Sequence, residues 1–158
     1  MATLKLGLQL GYWGALPPGD SHIKMAQEAE RVGFDSVWCA ESWGNDVFTP
    51  LAWIGAHTQK LRLGTGVAQL SARTPTAAAM ATLALDHLSG GRMILGLGVS
   101  GPQVVEGWYG QPYTKPITRT REYVEIIRKV LARQAPVTND GEFYPLPYNG
   151  PGSWGMGK

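Results

Sequence analysis

LALDHLSGGRMILGLGVSGPQVVEGWY, residues 83–109, reads as the end of a helix, a glycine stop, a buried strand and a glycine-rich mouth. Ser89, Gly90 and Gly91 end the helical pattern, because glycine alone enters the left-handed cap conformation without a steric penalty. Met93 to Val99 then runs apolar on both faces, relieved by Gly96 and Gly98, as a strand covered on both sides of a parallel sheet does. Ser100, Gly101 and Pro102 follow as a turn whose bare backbone can lie flat against a planar ligand.

The same strand-then-helix unit recurs upstream. Leu4 to Leu10 alternates apolar with small or polar residues and opens into the loop Gly11-Tyr12-Trp13-Gly14, the first strand. After Pro17-Pro18-Gly19-Asp20, a helix capped by Asp20 or Ser21 presents Ile23, Ala26, Ala29 and Val32 to the interior, and Gly33 stops it. Phe34 to Ala40 is the second strand and delivers Glu41 and Ser42 at its C-terminal end. Thr49 as N-cap and Pro50 at the first helical position start the next helix, with Phe48 placed to staple onto Trp53. Leu61 to Ala68 is the third strand. Thr74 and Pro75 repeat the capping device ahead of an alanine-rich helix, 76–88, which leads into Met93 to Val99 as the fourth strand.

Beyond the mouth, Arg119 to Ala132 is amphipathic, with Tyr123, Val124, Ile127, Val130 and Leu131 on the apolar side. The tail is rich in glycine and proline and offers a short hairpin at most. Four strand-helix units in strict alternation predict a parallel α/β sheet with right-handed crossovers. An open doubly wound sheet and part of a barrel both satisfy that pattern. In either, ligands bind beyond the C-terminal strand ends, where Glu41, Ser42, Gly66, Val67, Ser100 and Gly101 fall.

At 158 residues with 44% hydrophobic and 16% charged content, the chain can bury a core, and a single globular domain is the default. A formal charge of +2 with scattered Lys and Arg gives no nucleic-acid or membrane footprint. One cysteine, Cys39, excludes an internal disulfide and a cysteine zinc cluster, and three dispersed histidines add no metal set, so no metal is expected. With no signal-peptide pattern at the N-terminus and no run of membrane-spanning length, the reading is cytoplasmic.

Gly96, Gly98 and Gly101 spell GxGxxG, but the dinucleotide fingerprint needs a helix opening on the third glycine and an acidic residue ending the next strand. Here Pro102 follows, and Glu122 and Glu125 sit inside a helix. Strand packing and a flat ligand explain these glycines better. Glu41 either touches a ligand or pairs at the rim, and Arg73 either meets an anionic group or is a solvated rim arginine. Trp43, Trp108 and Tyr109 stand near the mouths, where aromatics stack on rings or pack as lids.

The segments TPLAWIGAHT, LRLGTGVAQLSARTP, LDHLSGGRMILGLGVSGPQVVEGWYG and RTREYVEIIRKVL resemble the bacterial luciferase-like monooxygenase family, and within it the coenzyme F420 (deazaflavin)-dependent oxidoreductases of actinobacteria. Relatives that use flavin mononucleotide (FMN) share the scaffold. The resemblance implies a TIM (β/α)8 barrel with the deazaflavin or flavin ring across the C-terminal strand ends. Relatives carry a backbone bulge after the third strand, often with a non-proline cis peptide, behind the ring. It matches Gly66, Val67 and Ala68. Residues after the fourth strand that lie near the ring match Ser100 and Gly101.

Sugar-oxidising relatives place an acidic residue and a catalytic histidine at the end of the second strand, where this chain has Glu41 and Ser42. That departure argues against a histidine base. The acidic residue that those relatives carry after the fourth strand is replaced by Pro102 or Gln103, with Glu106 the nearest substitute. The catalytic candidates are therefore Glu41, Ser42 and Glu106. The expected activity is hydride transfer between coenzyme F420 and a small organic substrate, the alternative an FMN-dependent monooxygenase.

A complete barrel takes about 250 residues or more, so this chain is expected to cover only the N-terminal half, about four βα units over residues 1–158. Residues 133–158 then belong to an irregular insertion after the fourth strand and its helix. A half-barrel exposes unpaired strand edges. A homo-oligomer, or association with a missing C-terminal half, is expected, and a catalytically silent association module is the third reading.

Overall fold

The computed structural model describes residues 4–12 and 19–155; the expected Trp13-Gly14 loop end and the Pro17-Pro18 punctuation lie outside them. The element order is β1 (Gly7–Gln9), α1 (Ser21–Arg31), β2 (Ser36–Cys39), α2 (Phe48–Ala56), β3 (Arg62–Thr65), β4 (Ala68–Gln69), α3 (Pro75–Ser89), β5 (Met93–Ile94), β6 (Leu97–Gly98), α4 (Pro102–Val105) and α5 (Pro116–Ala132). A short 3-10 turn, Leu70–Ala72, follows β4. The chain divides into two compact units. One takes the described residues up to Gln69 with Ala81–Gly98, the other Leu70–Met80 with the described residues from Val99 on.

The first unit holds the sheet. Its order is β1-β2-β3-β5, every neighbour parallel, with Leu8 beside Val37, Val37 beside Leu63 and Leu63 beside Met93. This row of apolar residues marks the face that buries. Leu10, Ile23, Ala26, Ala29, Val37, Cys39, Leu51, Ile54, Leu61, Leu63 and Leu85 form one core, with Leu8, Phe34, Phe48 and Met93 packed against it. On the opposite face the Trp38 indole occupies the space that a Cβ on Gly7 or Gly64 would fill, and its Nε1 donates to Ser36 Oγ at 2.9 Å.

A polar cluster closes the N-terminal ends of the strands. Glu30 accepts the backbone N–H groups of Gln59, Lys60 and Leu61 at 2.5–3.1 Å. Arg92 donates to the carbonyls of Gly55, Leu61 and Ser89 and to Thr58 Oγ1 at 2.7–3.1 Å. Asp35 pairs with Arg62 and, at 3.5 Å, with Lys5. These groups satisfy the chain reversals at the end of the sheet away from the strand C-termini.

The expected third and fourth strands are each broken in two. Leu61 to Ala68 is interrupted at Gly66 and Val67, and Met93 to Val99 at Leu95 and Gly96. The second pieces pair with one another, Ala68 beside Leu97 and Gln69 beside Gly98. The Gly66–Val67 peptide is cis. Continuous apolar composition hid both breaks, because burial on two faces erases the period that locates a kink.

Three local expectations are corrected. Thr49 does not cap α2; Asp46 does, its Oδ1 accepting from Phe48 N at 2.9 Å and Thr49 N at 3.0 Å. Phe48 is thereby the first helical residue, and Trp53 stands 59% exposed against His57 instead of stapled. Val32, expected inside, is exposed at the C-cap of α1. Thr74 does cap α3, its Oγ1 accepting from Ala77 N at 3.3 Å.

In the second unit, α5 begins three residues earlier than expected, with Pro116 in its first turn. Its buried face is Glu122, Tyr123, Ile126 and Ile127, whereas Leu131 is exposed. Glu122 accepts the N–H groups of Glu142, Phe143 and Tyr144 at 2.9–3.2 Å. Arg119 lies over the Phe143 ring, and Tyr144 meets Tyr123 edge-on. The tail carries an antiparallel bridge between Asn139 and Leu146, the short hairpin expected there. Among the described residues no helix is long and apolar enough to cross a membrane.

Candidate active site

The residues singled out at the strand ends fall into two groups, one in each unit. In the first, β2 ends at Cys39 and the chain continues through Ala40, Glu41 and Ser42. Cys39 O accepts from Gly66 N at 2.6 Å, which carries the pairing of β2 and β3 to the break. Glu41 is buried, and its Oε2 accepts from Gln69 N at 2.7 Å. The Gln69 side chain replies, its Nε2 donating to Glu41 O at 2.7 Å. Ser42 is half-buried, its N–H donating to Asn45 O at 3.3 Å, and Asn45 Nδ2 donates to Ala40 O at 2.8 Å.

Gly66, Val67 and Ala68 therefore form a segment fixed at both ends. Ala68 is buried and its N–H donates to Gly96 O at 2.8 Å, while Val67 turns outward and is 40% exposed. The glycines of the opening stretch fit around this segment. A Cβ on Gly98 would come 2.5 Å from Val67 Cγ2, and one on Gly96 would collide with the Thr65 carbonyl oxygen. Their absence of side chains makes room for the break between β3 and β4.

The Cys39 thiol is buried in the core at the end of β2. Burial, with the negative charge of Asp46 added, pushes its pKa up to about 12.

In the second unit Ser100 adopts a left-handed conformation, φ +59°, and Gly101 caps α4, its carbonyl accepting from Val104 N and Val105 N at 3.0 Å. A helix thus does open after the third glycine of GxGxxG, with Pro102 in its first turn, contrary to expectation. The acidic partner of a dinucleotide fingerprint is still lacking, since Glu122 is committed to the backbone of residues 142–144. Glu106 follows α4, exposed, its Oε1 accepting from Tyr113 N at 3.1 Å, and the Tyr113 hydroxyl donates to Ser100 O at 3.4 Å. Tyr113 thus links Ser100 and Glu106.

The two groups carry different chemistry. The first offers an exposed apolar side chain, Val67, on a backbone locked by buried hydrogen bonds, a surface suited to a planar ring. The second offers a carboxylate and a glycine turn. Trp43 and Trp108 are 54% and 57% exposed. The Arg73 carbonyl accepts from the Tyr123 hydroxyl at 3.1 Å. Among the described residues, no cluster of His, Cys, Asp or Glu could hold a metal ion.

Two participants were not singled out from the sequence, Gln69 and Thr65. Both are polar residues within apolar strand patterns, and a buried polar residue of that kind is informative.

The family model for luciferase-like monooxygenases matches residues 5–154. The chain belongs to the luciferase-like monooxygenase family. Its parallel sheet with alternating helices is part of the TIM-barrel fold of that family. A Mycobacterium tuberculosis protein, provisionally assigned as a coenzyme F420-dependent oxidoreductase, is 65% identical over 157 residues, 99% of this chain and 45% of that protein. The coenzyme F420-dependent tetrahydromethanopterin reductase of Methanopyrus kandleri superposes with a TM-score of 0.77 at 25% identity, over 91% of this chain and 44% of that one. The oxygenating component of the Pseudomonas putida 3,6-diketocamphane monooxygenase, solved with FMN, shares the fold, with a TM-score of 0.76 at 21% identity over 90% and 43%. This luciferase-like chain spans about half the length of the curated relatives it matches.

Proposed function

We propose that this chain supplies the N-terminal half of an oxidoreductase that transfers a hydride between coenzyme F420 and a small organic substrate. The observation that carries the reading is the Gly66–Ala68 segment. It presents Val67 to solvent at the C-terminal end of β3 on a fixed backbone, at the position the family resemblance assigns to the back of the ring. The 65% identity to the mycobacterial relative favours the deazaflavin over FMN.

A bound deazaflavin would supply the hydride chemistry, and the protein the binding, orientation and electrostatics. By the family resemblance Gly66, Val67 and Ala68 would support the ring, and Ser100 and Gly101 are the residues after the fourth strand that the same resemblance assigns to the cofactor. Ser42, three residues after β2, would serve as a hydrogen-bond partner of the substrate, and Glu106, after α4, as a proton carrier. Glu41 acts from behind, through its bond to Gln69 N, and not as a proton-transfer group in contact with substrate.

Residues 133–158 belong to an insertion of the complete barrel. The outer strands β1 and β5 pair with the remaining strands or with a second copy of the chain.

Turnover tests the reading. The purified protein is mixed with oxidised coenzyme F420 and a panel of small alcohols, or with reduced coenzyme and the matching carbonyl compounds, and the deazaflavin absorbance is followed. Substrate-dependent change in that band supports it. Oxygen consumption with reduced FMN, without any change with F420, contradicts it.

A further inference from the structure

The geometry points to Gln69 as the positioning residue of the Gly66–Ala68 segment, acting on the cofactor through the backbone and not by touching it. This inference rests on the proposed role of that segment as a support for the ring. Gln69 is 4% exposed on β4. Its main-chain N–H and its side-chain amide both close on Glu41, the first on the carboxylate and the second on the carbonyl, each at 2.7 Å.

Two residues upstream of Glu41, Cys39 O takes the Gly66 N–H. The end of β2 therefore holds both sides of the interruption, Gly66 from Cys39 and Gln69 from Glu41. Val67 and Ala68 are confined between the two anchors.

The Gln69 carbonyl oxygen Oε1 is buried without a hydrogen-bond partner. The side chain thus satisfies its donor on Glu41 O and leaves its one acceptor group unpaired. What this side chain contributes is its N–H on Glu41 O. Replacing it by leucine removes the orphaned acceptor and leaves Glu41 O without its donor, one orphan exchanged for another, so folding stability changes little, while of the two bonds to Glu41 only the main-chain one remains.

Three measurements on the purified protein and its Gln69→Leu and Gln69→Glu variants test this. They are coenzyme F420 affinity from quenching of the deazaflavin fluorescence, thermal unfolding without cofactor, and amide hydrogen exchange across residues 66–69. For Gln69→Leu the expected result is near-native unfolding, faster exchange at Ala68 and Gln69, and affinity weaker by about tenfold, the scale of one hydrogen bond. Gln69→Glu, which sets a carboxylate against the Glu41 carbonyl, weakens binding further. If Gln69→Leu does not fold, Gln69→Met takes its place with the same expectations.

Native affinity with native exchange in Gln69→Leu overturns the inference, as does a loss of affinity that merely follows a loss of folding. Should the unmodified protein itself fail to bind F420, the proposed function falls. Exchange at Ala68 and Gln69 then decides the anchoring role of Gln69 by itself, and unchanged exchange overturns it.

Discussion

The Thr65 hydroxyl bonds both main-chain groups of Gly96, accepting from its N–H at 2.8 Å and donating to its C=O at 2.7 Å. Thr65 is fully buried, at the last position of β3 before the break. Where the β3–β5 ladder ends, a side chain thus takes over backbone pairing, which lets the strands separate without stranding polar groups. Gly96 O also receives Ala68 N, so this one glycine joins both sides of the interruption.

Thr65→Val keeps the shape and removes the hydroxyl. The half-buried Gly96 N–H loses its partner, and the expected cost is about 1 kcal/mol of unfolding free energy. Urea unfolding monitored by tryptophan fluorescence measures it; Thr65→Ser, which keeps the hydroxyl, should lose less.

Gly98 and Val67 should behave as a coupled pair, since a Cβ on one meets the side chain of the other. Gly98→Ala in the native background should destabilise by about 1–3 kcal/mol, the usual scale of overpacking. Combined with Val67→Ala, which clears the space, the two costs should not add. A double-mutant cycle by chemical denaturation yields the coupling, and strict additivity would sink the contact.

Cys39, held as a buried thiol with its pKa pushed up to about 12, should not react with Ellman's reagent near neutral pH. Unfolding in guanidinium should release one thiol equivalent. Stoichiometric labelling of the native protein at a rate faster than unfolding is the contrary result.

Acid should act through Glu30. Burial by itself raises its pKa, but the bonds from the N–H groups of Lys60, Leu61 and Gln59 and the charge of Arg92 outweigh it, and the net shift is downward from 4.5. A carboxylate depressed in the folded state contributes stability that is present above its unfolded value and lost as pH falls through the folded one. Glu30→Gln should thus reduce stability at neutral pH and flatten its decline below about pH 4.5. Unfolding midpoints of both proteins between neutral and acid pH give the comparison.

How far the sequence could be read follows from the range of the interactions involved. The alternation of strands and helices was legible, because glycine stops, the Thr74 cap and helical periodicity are local signals. The Asp46 cap was obscured by a threonine-proline pair three residues later that fits the same pattern. The breaks at Gly66 and Gly96 were invisible in periodicity, since buried strands have none. Gly66 and Val67 were reached as strand-end residues of a parallel sheet, but their place behind the ring, with Ala68, came by resemblance to the family. Glu41 was placed at the strand end, but its partner Gln69 is 28 residues away. Glu30 and Glu122 each collect three backbone N–H groups 20–31 residues distant, and no local pattern marks a helical glutamate for such a role.

If the surface around Gly66–Ala68 accepts a deazaflavin, binding should be measurable without turnover. The decisive measurement is equilibrium titration of the purified protein with oxidised coenzyme F420, followed by quenching of its fluorescence beside a parallel titration with FMN. F420 should bind saturably, more tightly than FMN, and more weakly after Val67→Asp, which places a charge where the ring should rest. Binding of FMN with none of F420, or F420 binding indifferent to Val67→Asp, would contradict it.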